Sequence, residues 1–255
     1  MSDPSADRNL GRERDGERDG EYDDDAEDDD DDDDDCTALH DAIARGDEEA
    51  VSSLVSCVAD LGPGGARGRT PLHFAIRCRN TKMASLLLDM GARIDAADKS
   101  MRTPLHEASV DGPADLVVAL LCRGADLAAK DEIGMTPLHC AALYAEPGVA
   151  AALLDAGACV HALDMYGRTA LHLAVLQGSD AVCHLLLDRG ADIRARDENG
   201  RAPLHYTALY GGATIAVALM SRGACAAATD GSGKTPLQIA VEVGHDTVAS
   251  VLIGK

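Results

Sequence analysis

Thr169-Ala-Leu-His-Leu-Ala-Val-Leu-Gln-Gly178, followed by Ser179-Asp-Ala-Val-Cys-His-Leu-Leu-Leu-Asp-Arg-Gly190, decides how this chain is read. Leu171, Ala174 and Val175 form one i, i+3, i+4 apolar face, and Val182, Leu185 and Leu186 form a second. That spacing predicts two short amphipathic helices. Thr169 is placed to cap the first helix, and a glycine follows each.

Moving outward, the opening phrase recurs at Thr37-Ala-Leu-His40, Thr70-Pro-Leu-His73, Thr103-Pro-Leu-His106, Thr136-Pro-Leu-His139, Ala202-Pro-Leu-His205 and Thr235-Pro-Leu-Gln238. Every step is 33 residues, so seven copies of one unit fill the chain from residue 37. Proline at 71, 104, 137, 203 and 236 suits a first helical position, which needs no amide donor. Glycine follows the first helix at 46, 112, 178, 211 and 244, and the second at 91, 124, 157, 190 and 223, where a left-handed cap residue is wanted. Between units an Asp-x-x-Gly turn recurs, as in Asp131-Glu-Ile-Gly134 and Asp164-Met-Tyr-Gly167.

The 33-residue period and the T-P-L-H-x-A signature resemble the ankyrin repeat. The resemblance implies an all-α solenoid of stacked helix-turn-helix units whose hairpin-like loops project as fingers and whose first helices line a concave side. It also implies that the histidines at 40, 73, 106, 139, 172 and 205 tie backbone groups together. One repeat thickness separates them, which is too far to share a metal ion. Departures mark irregular places: Val58 and the loop at 60–66 in unit one, Arg79 and Met101 in unit two, and Ala145-Glu-Pro147 in unit four. Unit one reads as one end cap, and Glu242, His245 and Asp246 are expected to make the other polar. No further domain is expected beyond unit seven.

Charge divides the 255 residues into two domains. There are 44 acids against 23 lysines and arginines, a net of −21. Residues 1–35 carry 19 of the acids, ending in eight aspartates, against four arginines, so this tail holds −15 and the other 220 residues −6. Without apolar periodicity it cannot offset the entropy of ordering, and a disordered acidic tail over 1–35 is expected before a repeat domain over 36–255. An anionic chain disfavours direct nucleic-acid binding. No apolar run approaches membrane-spanning length, so no membrane insertion is expected. Eight cysteines without a C-x-x-C pair fit reduced, buried or half-buried thiols in cytoplasm or nucleus.

Nothing reads as catalytic. Gly231-Ser-Gly-Lys-Thr235 resembles the end of a phosphate loop, but Ala228 stands where that motif needs glycine. No cofactor or metal is expected. The expected function is therefore that of a non-enzymatic, monomeric adaptor or scaffold that binds a protein partner. Seven residues after the threonine position come Leu143, Leu176 and Leu209, and one further on Tyr144, Gln177 and Tyr210. With Ile133, Met135, Met165 and Tyr166 on the hairpins they form the candidate contact surface, because aromatics and methionine dominate interface cores. A basic row precedes the threonines at Arg69, Arg102, Arg168, Arg201 and Lys234, which the tethered acidic tail could cover. The competing reading makes the tail itself the working part, as a chaperone or sequestering factor for basic proteins such as histones. Steep weakening with salt would distinguish it.

Overall fold

The computed structural model describes residues 37–57 and 67–254. The expected tail over 1–35 and the irregular loop near 60–66 lie outside the described residues.

Among the described residues there are fourteen helices. The first helices of the seven units are α1 (Thr37–Arg45), α3 (Pro71–Arg77), α5 (Pro104–Asp111), α7 (Pro137–Leu143), α9 (Ala170–Leu176), α11 (Pro203–Tyr210) and α13 (Pro236–Val243). The second helices are α2 (Glu48–Cys57), α4 (Thr81–Asp89), α6 (Ala114–Cys122), α8 (Pro147–Asp155), α10 (Asp180–Asp188), α12 (Ala213–Ser221) and α14 (Asp246–Ile253). Each first helix packs on its own second helix and on the first helices before and after it. The core is a continuous aliphatic seam: Leu72, Leu105, Leu138, Leu171 and Leu204 occupy one register and are at most 2% exposed. No unit could close over that seam alone, so stability belongs to the stack.

Histidine joins successive units. In unit five the Thr169 amide donates to His172 Nδ1 at 3.1 Å, with Thr169 Oγ1 2.9 Å from the same nitrogen. Nδ1 is thus an acceptor, so the ring is neutral and Nε2–H donates to the Arg201 carbonyl of the next unit at 3.2 Å. His73, His106 and His139 repeat this with the carbonyls of Arg102, Met135 and Arg168 at 3.0–3.1 Å. Gln238 keeps the local half, its Oε1 accepting from the Thr235 amide at 2.8 Å.

The hairpins are built the same way each time. Asp131 Oδ1 accepts the amides of Ile133 and Met135, and Asp164 Oδ1 those of Tyr166 and Arg168. Neighbouring hairpins are linked by single backbone bonds, including Met165 N–H to Ile133 O at 2.9 Å and Glu198 N–H to Tyr166 O at 2.9 Å.

Second-helix glycines 91, 124, 157, 190 and 223 all take positive φ. Gly112 does not: its φ is −78°, and glycine is needed there because a Cβ would stand 2.4 Å from the Ala108 carbonyl oxygen. The departures in units two and four put non-glycine residues into the left-handed region, with φ of 52° at Arg79, 60° at Met101 and 59° at Ala145. Met101→Gly and Ala145→Gly are each expected to stabilise the fold by about 0.5–1 kcal/mol, since relief of left-handed strain exceeds the added chain entropy. A lowered urea midpoint in both variants would refute this.

At unit seven Glu242 and Asp246 are exposed and His245 is half-buried, and apolar side chains are exposed with them. Val241 is 63% exposed, whereas Ile76, Ser109, Ala142, Val175 and Ala208 at the same register are at most 1% exposed under the next unit. Val243 and Ile253 are exposed beside it.

Candidate protein-binding surface

The hairpin between units four and five carries the largest apolar exposure on the finger side. Met165 is 59% exposed and Leu163 47%, with Tyr166 half-buried on the same hairpin. Tyr166 is held in place from below. The Arg168 guanidinium lies 4.6 Å from its ring centroid, and Arg168 Nε is itself fixed to Asp164 Oδ2 at 2.7 Å in a buried ion pair.

On the first helices, Tyr210 is 45% exposed at the end of α11, while Tyr144, Leu176 and Leu209 are half-buried and Gln177 is exposed. Tyr206 sits one turn before Tyr210 with ring centroids 5.9 Å apart, and its other neighbour is His172 at 5.1 Å. The Tyr206 hydroxyl donates to Asp197 Oδ2 at 2.9 Å, and burial together with that carboxylate raises its pKa, keeping the phenol protonated. Tyr206 therefore supports the exposed Tyr210 and does not itself offer surface.

Two of the sequence-predicted contact residues belong to the core. Met135 is 4% exposed because its register lies at the root of the hairpins, where Arg168 too is only 7% exposed. Leu143, at the end of α7, is 7% exposed, whereas Leu176 and Leu209 at the same register of α9 and unit six are half-buried. The remaining residues, Ile133, Tyr144, Met165, Tyr166, Leu176, Gln177, Leu209 and Tyr210, retain accessible surface. Leu163 and the supporting Tyr206 were missed; a tyrosine one helical turn before another was the available signal for the second.

The basic row is not a line of free cations. Arg168 is buried and paired with Asp164, Lys234 Nζ lies 2.7 Å from Glu242, and Arg102 faces Glu107 at 3.8 Å. Arg69 and Arg201 are half-buried. The acidic segment expected against this row lies outside the described residues.

His73, His106, His139 and His172 have both ring nitrogens engaged in the backbone bonds described above, and His205 accepts the Ala202 amide at Nδ1 with Nε2 3.2 Å from the Ala228 carbonyl, which is a structural role. Burial lowers the pKa of His73, His106, His139 and His205, and lowers that of His172 to about 4. His161 and His184 are exposed, whereas His245 is half-buried with Nδ1–H donating to the Ala208 carbonyl at 2.9 Å. The thiols divide differently from expectation: Cys140 and Cys183 are buried, but Cys78, Cys122, Cys159 and Cys225 are exposed, since their registers fall at helix ends and the loops that follow. Burial, with Asp180 nearby, pushes the Cys183 thiol up to about 12, so it stays protonated.

No curated protein matches the chain. The family model for ankyrin repeats matches residues 22–98, 39–131, 105–197 and 185–255, which together reach from the acidic segment through the seventh unit. With the 33-residue register, the paired helices and the histidine-linked hairpins, this places the chain in the ankyrin-repeat family.

Proposed function

We propose that this chain is a non-enzymatic adaptor or scaffold that binds a partner protein across the hairpins and first helices of units four to six. Ankyrin repeats are generally protein-protein interaction modules. What supports this particular surface is that Met165 on a hairpin and Tyr210 on a first helix are 59% and 45% exposed, while Tyr166 is braced by Arg168 and its buried ion pair with Asp164. Large apolar side chains held rigidly at the surface lose little entropy on binding, which is what interface anchors require.

Enrichment from lysate with three baits tests the reading: the intact chain, the chain lacking residues 1–35, and Tyr144→Ala/Tyr166→Ala/Tyr210→Ala. Partners lost only by the triple variant support it. Partners lost only without residues 1–35, and released by moderate salt, favour the acidic chaperone reading instead.

A further inference from the structure

Between the roots of successive hairpins in units five and six lies a cavity of about 450 Å³. Its walls are aliphatic, formed by Ile193, Leu204, Ala224 and Ala228, and its charged lining residues are Arg194 and Arg196. No carboxylate lines it. Arg196 is pinned across the two hairpins, its Nη1 donating to Gly200 O at 2.8 Å and Thr229 O at 2.6 Å. The exposed Arg194 guanidinium has no hydrogen-bond or ion-pair partner among the described residues.

At the threonine position unit six carries Ala202, which lines the cavity, so the hydroxyl that most other units carry there is absent from its wall. A second cavity of about 430 Å³, lined by Leu88, Asp89, Ala92, Ile94 and Arg123, differs in one respect: its arginine is already paired with Asp89 at 2.9 Å.

We infer that the unit five–six cavity is a binding site for a small amphipathic carboxylate, with its apolar tail against Ile193 and Leu204 and its carboxylate on Arg194 and Arg196. The volume falls within the usual range of small-molecule sites, and an aliphatic wall beside an unpaired guanidinium is complementary to an apolar tail that ends in a carboxylate. The site is independent of the partner surface proposed above.

Calorimetric titration of the full chain with octanoate, octanol and octylamine tests it. Octanoate is expected to bind saturably at one site, at least tenfold more tightly than octanol, with octylamine not binding. Arg194→Gln should weaken octanoate at least fivefold and leave octanol unchanged. Ala228→Leu, which enlarges a side chain on the cavity wall, should abolish octanoate binding. Equal affinity for octanoate and octanol, full retention in Ala228→Leu, or no saturable binding to the intact chain would overturn the assignment. Because Arg194 is exposed, its variant reports on the site even where the cavity-filling substitution perturbs folding.

Discussion

Acidification from pH 7.5 to 5 is expected to lower the melting temperature of the helical stack progressively, with the loss beginning near pH 6.5. His73, His106, His139, His172 and His205 all have folded-state pKa values lowered by burial. The geometry gives the same sign independently, because each Nδ1 accepts a backbone amide and cannot take a proton without losing that bond. Between the folded and unfolded values the unfolded chain binds more protons, so stability rises with pH there and is complete above about 6.5. For His172, lowered to about 4, the full difference corresponds to roughly 3 kcal/mol. Asp131, whose pKa is raised by burial, opposes the trend, but it is one group against five. His172→Gln, which introduces the residue type that unit seven carries as Gln238, should flatten the pH profile measured by circular dichroism. A melting temperature constant from pH 7.5 to 5 would show that these rings do not titrate as the structure requires.

Gly134→Val is expected to destabilise the fold by about 2–4 kcal/mol and to weaken partner binding at the same time. Gly134 has φ of 77°, and a Cβ there would come within 2.9 Å of the Met165 amide nitrogen. That amide makes the bond to Ile133 O that stacks one hairpin on the next. A side chain at 134 therefore separates the fingers that present Ile133, Met165 and Tyr166. Gly178→Val is the matched control: its φ is 73°, but nothing lies within 4 Å of the added Cβ. The urea midpoint should fall distinctly further for Gly134→Val than for Gly178→Val. Equal losses would mean that backbone conformation alone, not the hairpin contact, sets the cost.

The helices and their partners were legible because each rests on local chemistry repeated in register. Thr169, His172, Gly178 and Gly190 each specify a cap or turn within a few residues, and seven copies reinforce the reading. The strained positions were legible as exceptions, since Arg79, Met101 and Ala145 stand where a glycine is due. Depth in the stack was not legible. Register places Leu143 beside Leu176 and Leu209, but only packing decides that Leu143 is covered while the others remain half open. Charge pairing was hidden for the same reason: Arg168 belongs to a basic row in the sequence, yet folding turns it onto Asp164. Val241 shows the converse, an ordinary core residue type left exposed because no described unit covers that face.

The central claim is that a partner lies on the hairpin and first-helix face of units four to six. Site-specific photocrosslinking tests it most directly, with benzoylphenylalanine replacing Tyr210 or Met165 in one set and Val217, exposed on the second helix α12, in another. Crosslinks to the same partner from Tyr210 and Met165 but not from Val217 are predicted. Crosslinking from Val217 alone would place the partner on the second-helix side and contradict the account.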